Sequence, residues 1–264
     1  MNLLTQIRQN NPLIYNITNQ VVTNFSANGL LAIGASPAMA NAPEEAKDMA
    51  RHADAVILNV GTCSSSQAEA MLLAGEEANK KGIPVVLDPV AVGATDFRTD
   101  VVDKLLKHVS FTAIRGNAAE IATIGKEETQ MKGVDSLVDH LETEIAQKVA
   151  QMHKTMVIAT GKIDVITDGK RLITCENGTS MLPYITGSGC LLSAVVGAFL
   201  TVGEDVLTSA SKAVAGYGIA AQLAMEQASG PGTFLPSFID ELFHLDDEKI
   251  RRKAKLKMLA GENS

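Results

Sequence analysis

Short apolar segments alternate along this chain with longer segments rich in helix-forming residues, and this alternation constrains the fold more than any other feature. Four of the apolar segments are rich in strand-forming residues, and each is followed closely by glycine or proline: Ala55–Val60, Ile83–Leu87, Phe111–Ile114 and Thr155–Ala159. Near-continuous apolar runs are typical of strands that are buried on both faces. Strands that alternate with helices are joined by βαβ crossovers. The sequence therefore predicts an α/β fold, with a mostly parallel central sheet and helices on both faces.

The segments between and after these strands have helical composition. The predicted helices are Ser64–Lys80, Asp100–His108, Asn117–Thr123, Val134–His153, Ser188–Val202, Glu204–Ser229 and Phe234–Leu245. Asp168-Gly169 lies between two short apolar runs and predicts a β-hairpin. Because no linker, repeat or low-complexity segment interrupts the pattern, we expect a single domain over residues 1–264, with a basic C-terminal tail at about 246–264.

Composition argues against several classes of partner. The net charge is −7 and aromatic residues make up only 4% of the chain, which disfavours nucleic acid and anionic membranes as partners. The longest apolar stretch, Cys190–Val202, is too short to span a bilayer. Six of the nine residues in Lys249–Lys257 are basic, and here a solvated helix or frayed tail is the simpler interpretation.

The three cysteines, Cys63, Cys175 and Cys190, are widely spaced, which indicates neither a disulfide framework nor a zinc site. The first residues lack the apolar core of a signal peptide. Together these features predict a reduced, cytoplasmic protein.

Polar residues follow three of the predicted strands. Asp88, Arg115 and Thr160 each come directly after an apolar run. Ligands of parallel α/β sheets bind beyond the carboxyl ends of the strands, so we expect these three residues along one edge. A simple turn is the alternative at Thr160, and a turn cap is the alternative at Asp88.

The segment Thr186-Gly-Ser-Gly-Cys190 precedes a predicted helix that is apolar nearly all round. Glycine lets a backbone approach a ligand closely, and the first turn of a helix offers unpaired N–H groups at its positive end. Gly187, Ser188, Gly189 and Cys190 therefore form a candidate anion hole for a phosphate group. A plain helix start capped by Ser188 explains the same residues equally well.

Asn117 and Glu120 have the spacing of a capping box, which alone would account for both residues. A carboxylate facing a phosphate site could also hold Mg²⁺, directly or through water, and Asp88 offers a second carboxylate of this kind. Met39 could either pack in the core or line a pocket.

Taken in order, these segments resemble the hydroxyethylthiazole kinases of thiamine biosynthesis, within the ribokinase-like superfamily. The resemblance extends to about Leu245, and its combination of motifs is specific although each motif alone is not. The motifs are Asn16-Ile-Thr-Asn19, Ser36-Pro-Ala-Met39, Leu87-Asp-Pro-Val-Ala-Val-Gly93, Ile114-Arg-Gly-Asn-Ala-Ala-Glu120 and Thr186-Gly-Ser-Gly-Cys190.

The resemblance implies a ribokinase-like fold and ATP-dependent, Mg²⁺-dependent phosphorylation of 4-methyl-5-(2-hydroxyethyl)thiazole. It also implies a homotrimer with sites between subunits. The residue roles that it implies are thiazole contacts from Met39 and Gly187, ATP contacts from Arg115 and Thr160, and magnesium and phosphate contacts from Asp88 and Glu120.

Cys190 occupies the position at which most ribokinase-like enzymes carry aspartate, and the resemblance implies that it orients or deprotonates the substrate hydroxyl. Ser188 stands where the family often has alanine or threonine. The N-terminal turn of the helix would lower the pKa of the Cys190 thiol and bound phosphates would raise it, so the sequence leaves the direction of the shift open.

Three other functions fit parts of the same pattern. A ribokinase-like kinase for a pyrimidine alcohol is the nearest. A hydrate dehydratase that consumes ATP or ADP belongs to another reaction class, and such relatives favour aspartate at the position of Cys190. A catalytically idle thiazole-binding protein is the third, and the presence of Asp88, Arg115, Glu120 and Cys190 argues against it.

Overall fold

The computed structural model describes residues 2–126 and 135–259. In this part of the chain nine strands form one sheet, in the order β2-β1-β3-β4-β5-β6-β7-β8-β9. The strands are β1 (Leu13–Ile17), β2 (Ser36–Met39), β3 (Ala55–Asn59), β4 (Val85–Asp88), β5 (Ala113–Asn117), β6 (Met156–Thr160), β7 (Asp164–Thr167), β8 (Leu172–Cys175) and β9 (Leu256–Leu259). Strands β1 to β6 pair in parallel, and β7, β8 and β9 continue the sheet in antiparallel pairing.

Helices cover both faces of this sheet. They are α1 (Leu3–Asn10), α2 (Thr23–Ile33), α3 (Pro43–His52), α4 (Ser65–Lys81), α5 (Asp96–His108), α6 (Ala118–Ile124), α7 (Asp135–His153), α8 (Ser188–Leu200), α9 (Val206–Gln227), α10 (Pro231–His244) and α11 (Asp247–Lys253), with a 3-10 turn at Leu182–Tyr184. Successive strand residues point to opposite faces and so enter two different cores. Ile57 packs into the core under α1, α2, α8, α9 and α10, whereas its neighbours Val56 and Leu58 pack into the core under α3 to α7. The predicted α/β architecture is confirmed.

Helix α8 lies at the centre of the first core, against strands β1, β3 and β4 and helices α2 and α9. Every residue from Leu191 to Leu200 is buried, as expected for a helix that is apolar on all sides. Two glycines permit this close packing. Gly29 of α2 lies against the Leu191 side chain, and Gly197 of α8 lies against the Ile57 side chain.

The predicted elements from β3 onward are present, with ends that differ by a few residues, and the hairpin at Asp168-Gly169 is confirmed. The predicted start of the long helix at Val134 lies outside the described residues. The first part of the basic segment Lys249–Lys257 lies in helix α11, which agrees with the expectation of a solvated helix rather than a frayed tail. The rest of the segment enters a strand that was not predicted. Strand β9 pairs with β8, with Lys257 opposite Thr174. Lysines are common on edge strands because they discourage further pairing, and here they obscured the strand pattern.

No helix among the described residues combines the length and the apolar character that a membrane crossing requires.

Candidate active site

The carboxyl ends of the parallel strands and the first turn of α8 meet at one place. Asp88 is the last residue of β4, Thr160 is the last residue of β6, and Arg115 lies within β5 between them. Arg115 Nη2 donates a hydrogen bond of 2.6 Å to Thr160 Oγ1, and Arg115 Nη1 is 3.8 Å from Asp88 Oδ1. The predicted grouping of these three residues is therefore confirmed.

Asp88 is fully buried, and its two carboxylate oxygens differ in their contacts. Oδ2 accepts hydrogen bonds from Asn59 Nδ2 at 2.7 Å and from Ser193 Oγ at 3.0 Å. Oδ1 is buried without a hydrogen-bond partner among the described residues. Burial raises the pKa of Asp88, while Arg115 and the two hydrogen bonds oppose that rise. A buried carboxylate oxygen with no partner is a good position for a cation to bind.

Sequence reasoning missed both partners of Asp88. Asn59 is a polar residue at the end of the apolar β3 run, which was a usable signal because Asp88 ends the adjacent strand. Ser193 follows Cys190 by three residues and therefore faces the same side of α8. It is a small polar residue inside an apolar helix, and no motif distinguishes it from a serine that merely packs.

The Arg115 guanidinium lies directly against Gly189, at the first turn of α8. A Cβ atom at position 189 would collide with Arg115 Nη1 and Nη2. The Arg115 side chain is 11% exposed, and its Nε has no hydrogen-bond partner among the described residues. A fixed positive charge therefore sits beside the positive end of a helix, an arrangement that suits a phosphate group.

The first turn of α8 partly matches the predicted anion hole. Gly187 has a left-handed backbone, with φ of 84°, and Val22 occupies the space where its side chain would be. Ser188 does not cap the helix, because its hydroxyl donates to Leu182 O and its N–H donates to Ile185 O. The capping alternative for Ser188 is therefore wrong. The prediction of an anion hole now depends on the N–H groups of Gly189 and Cys190, which have no acceptor within the helix.

Cys190 is the third residue of α8, and its thiol is partly accessible. Burial and the nearby Asp88 carboxylate raise the pKa of this thiol to about 12, although Arg115 and two asparagine side chains pull it down. The structure thus settles the direction that the sequence left open. In the free protein the thiol is neutral at physiological pH.

Asn117 and Glu120 form the predicted capping box. Asn117 Oδ1 accepts from the Glu120 N–H at 2.9 Å, and Glu120 Oε2 accepts from the Asn117 N–H at 2.8 Å. Glu120 Oε1 also accepts a 2.9 Å hydrogen bond from the Ala91 N–H, in the loop after β4. Glu120 therefore ties the loop after Asp88 to the junction between β5 and α6. Among the described residues no three His, Cys, Asp or Glu side chains cluster as a metal site.

A cavity of about 540 Å³ opens beside Arg115 and Thr160. Its volume is in the range of small-molecule sites. Asp164 lines it and accepts a 3.1 Å hydrogen bond from the Gly161 N–H, and burial raises the pKa of this carboxyl to about 6. The other lining residues are Gly161, Lys162, Glu176, Asn177, Gly178, Thr179, Ser180, Leu182, Pro183, Ser188, Gly189, Leu192, Val214, Tyr217 and Gly218.

Met39 does not line this cavity. Met39 is the last residue of β2, so it lies at the carboxyl ends of the parallel strands, as Asp88 does, but three strands away from Asp88 in the sheet order. It packs against the core around α8. The packing interpretation of Met39 is confirmed, and its predicted contact with thiazole stays a prediction.

Comparison with known proteins agrees with this geometry. The hydroxyethylthiazole kinase family matches residues 4–248. Hydroxyethylthiazole kinase 2 from Oceanobacillus iheyensis is 55% identical over 249 residues, covering 94% of this chain and 96% of the relative. A hydroxyethylthiazole kinase from Listeria monocytogenes is 50% identical over 257 residues, covering 96% of this chain and 95% of that protein.

Solved structures give the same result. A hydroxyethylthiazole kinase protein from Pyrococcus horikoshii superposes with a TM-score of 0.90 at 39% identity, covering 97% of each chain. A pyridoxal kinase from Staphylococcus aureus, solved with pyridoxal, shares the fold with a TM-score of 0.60 at 16% identity, covering 80% of this chain and 87% of that one. The predicted ribokinase-like fold is thereby confirmed, and the chain belongs to the hydroxyethylthiazole kinase family.

Proposed function

We propose that this protein transfers the γ-phosphoryl group of ATP to the hydroxyl of 4-methyl-5-(2-hydroxyethyl)thiazole. The observation that carries the proposal is the convergence of Asp88, Arg115 and Cys190 around the first turn of α8, in a chain 50–55% identical to hydroxyethylthiazole kinases. Phosphoryl transfer depends mainly on positioning and on charge neutralisation, and this arrangement provides both.

The nucleotide binds in the cavity beside Arg115 and Thr160. The hydrogen bond from Arg115 to Thr160 holds the guanidinium beside Gly189, so the cation and the helix N-terminus act on the same phosphate chain. The N–H groups of Gly189 and Cys190 then receive the γ-phosphoryl oxygens. In the reaction the bond from the γ-phosphorus to the substrate oxygen forms, and the bond to the β,γ-bridging oxygen breaks to release ADP.

The residues present fit Mg²⁺. This ion is usually bound by one or two carboxylates together with phosphates and water, and not by a complete protein cage. Asp88 Oδ1 is a buried carboxylate oxygen with no hydrogen-bond partner among the described residues, so Asp88 would hold the ion directly. Glu120 would act through water, because both of its oxygens already accept backbone N–H groups. When bound, Mg²⁺ neutralises charge on the β- and γ-phosphates.

Cys190 orients the substrate hydroxyl. A neutral thiol cannot take up a proton on its sulfur, but the sulfur can accept a hydrogen bond from the hydroxyl and align its oxygen with the γ-phosphorus. The transition state is loose, so the hydroxyl proton can leave late and pass to a phosphoryl oxygen or to water. Met39 and Gly187 contact the thiazole ring in this proposal.

The proposal includes a homotrimer with sites shared between subunits and a cytoplasmic location. Met39 supports the first point, because it lies away from the cavity on β2, an edge strand of the sheet with a side open to a neighbouring subunit.

A direct assay tests the function. Purified protein with Mg²⁺ and ATP should release ADP in step with thiazole phosphate when it receives the hydroxyethylthiazole. A hydroxymethylpyrimidine is the matched alternative substrate. Turnover of the pyrimidine without turnover of the thiazole would overturn the assignment, and ATP consumption with a hydrate in place of the alcohol would indicate the dehydratase class.

A further inference from the structure

Two buried asparagine side chains connect Asp88 to Cys190. Asn19 is 5% exposed and Asn59 is 1% exposed. Asn59 Nδ2 donates to Asp88 Oδ2 at 2.7 Å, Asn19 Nδ2 donates to Asn59 Oδ1 at 3.2 Å, and the same Asn19 nitrogen donates to Cys190 Sγ at 3.5 Å. We call Asn59 and Asn19 the amide relay. The relay runs from the loop after β1 and the end of β3 to the first turn of α8.

A backbone group fixes the direction of every hydrogen bond in the amide relay. The Gly61 N–H donates to Asn59 Oδ1 at 3.0 Å. A backbone N–H can only donate, so the oxygen of Asn59 must face Gly61 and its nitrogen must face Asp88. Asn19 then has to present its nitrogen to Asn59 Oδ1. Its second N–H is left for the Cys190 sulfur, whichever protonation state Asp88 adopts.

Close packing at Gly61 keeps the amide relay in this arrangement. A Cβ atom at position 61 would lie 3.0 Å from both Asn19 Nδ2 and Asn59 Oδ1, which is closer than side chains ordinarily approach. Any larger residue would therefore push on the two atoms that set the relay. The Asn19 main chain is held as well, because its carbonyl accepts from Thr23 Oγ1 at 3.0 Å and from the Val22 N–H at 3.3 Å.

The relay decides how the Cys190 sulfur is presented. Because Asn19 donates to the sulfur, the thiol proton cannot point at Asn19 and must point elsewhere in the site. The ionisable groups that act on this thiol from the surrounding elements are Asp88 on β4, Arg115 on β5 and Tyr217 on α9. Among the described residues only the relay provides a directed neutral donor. Sulfur is a weak acceptor, so the contact contributes little to folding.

We propose that Asn19 is a positioning residue for the phosphoryl transfer: its amide N–H holds the Cys190 sulfur with a lone pair toward the substrate hydroxyl, and Asn59 holds that amide in place. The proposal rests on the proposed function in one respect, that Cys190 acts on the hydroxyl. It adds two residues to the site, neither of which contacts the nucleotide cavity.

The test uses the full chain with Cys63→Ser and Cys175→Ala, so that Cys190 is the single thiol. The rate of Cys190 alkylation by iodoacetamide is measured from pH 7 to 10 in this parent, in Asn19→Ser and in Asn19→Asp. Asn19→Ser removes the donated N–H without adding charge, and Asn19→Asp replaces the donor with a negative group. Asn28→Asp, at an exposed position on α2, is the charge-matched control. Melting temperatures identify any variant that fails to fold.

We expect alkylation at a fixed pH to slow by a few-fold in Asn19→Ser and by about tenfold in Asn19→Asp, since one pKa unit changes the thiolate fraction tenfold. The value of kcat should fall in both variants while KM for ATP changes little, and Asn28→Asp should match the parent. Alkylation profiles that superimpose on the parent would overturn the proposal. A shifted profile with unchanged kcat would also overturn it, because the contact would then have no positioning role. Normal kcat in Cys190→Ala would instead contradict the proposed role of Cys190, while the alkylation experiment would still report on the relay.

Discussion

Replacing Glu120 with glutamine tests whether its two structural contacts also support the proposed magnesium site. The carboxylate accepts the Asn117 N–H at 2.8 Å and the Ala91 N–H at 2.9 Å. A glutamine amide has one oxygen and one nitrogen, so one of these two donors would face an NH₂ group and lose its acceptor. A hydrogen bond to a charged group contributes roughly 1.5–3 kcal/mol, and Glu120 is only half-buried. We therefore expect Glu120→Gln to lower the free energy of unfolding by about 1.5 kcal/mol, which corresponds to a fall in Tm of about 3–6 °C.

The same substitution should weaken the binding of magnesium. Ala91 has a left-handed backbone with φ of 56°, which is strained for alanine, and its N–H is held by Glu120. Ala91 lies three residues after Asp88, so loss of this hydrogen bond should let the loop move the proposed magnesium ligand. We expect the Mg²⁺ concentration at half-maximal activity to rise several-fold.

A second capping box supplies the matched control, because Ser64 and Gln67 form the same motif at the start of α4. Gln67→Ala should cost about 1 kcal/mol and leave kinetics unchanged. The assays are urea unfolding and a magnesium titration of the initial rate on the same preparations. If Glu120→Gln loses no more stability than Gln67→Ala and titrates normally with Mg²⁺, then Glu120 only caps its helix and the reasoning fails.

The remaining predictions concern the phosphate contacts, the thiol and the assembly. Arg115→Ala should raise KM for ATP at least tenfold. Gly189→Ala should do the same in a folded protein, because its methyl group would displace the Arg115 guanidinium. Normal ATP binding in either variant, measured by calorimetry, would contradict the placement of the phosphates. Cys190→Ala should lower kcat by roughly 10–10²-fold through misplacement of the hydroxyl, whereas Cys190→Asp should keep substantial activity because a carboxylate accepts the same hydrogen bond. Steady-state kinetics with the thiazole test both expectations. A near-normal kcat in the alanine variant would show that Cys190 is structural. Light scattering should give a trimer, and a stable monomer of 27.9 kDa with full activity would rule out shared sites.

The sequence predicted those parts of the molecule in which local pattern and tertiary structure agree. Strands β3, β4 and β6 are rich in apolar residues and β5 begins with two, so their pattern is visible without knowledge of their neighbours. Because these strands are parallel, residues at their carboxyl ends must share an edge. The parallel arrangement of the strands was therefore sufficient to predict that Asp88, Arg115 and Thr160 lie along one edge of the sheet.

Strand β2 and helix α2 could not be predicted in the same way. Strand β2 contains Pro37, which is poorly suited to a central strand but tolerated at the edge of a sheet, and β2 is the edge. Helix α2 contains Gly29, which lowers its intrinsic helix propensity, although the close contact with the Leu191 side chain requires a glycine there. In both cases tertiary contacts override the local preference.

The finer chemistry of the site depends on contacts between distant segments. Asn19, Asn59 and Ser193 lie in a loop, a strand and a helix that are far apart in sequence, and they matter only through their contacts with Asp88 and Cys190. Burial, charge and hydrogen bonding have competing effects on the pKa of the Cys190 thiol, and their balance sets the direction of the shift. No sequence pattern reports the sizes of these effects.

Helix α8 carries Gly189, Cys190 and Ser193 within its first two turns and is buried from Leu191 to its end. These three residues therefore cannot be adjusted one at a time, because any tilt or translation of the helix moves them as a rigid body. Gly197, deep in the core, sets the spacing between this helix and Ile57 of β3. A methyl group added there would collide with the Ile57 side chain, and any movement of the helix that relieved the collision would shift the phosphate-binding turn, the thiol and the Asp88 contact together. The site is thus preorganised by core packing, and a substitution far from any substrate can alter catalysis without altering a single residue that touches it.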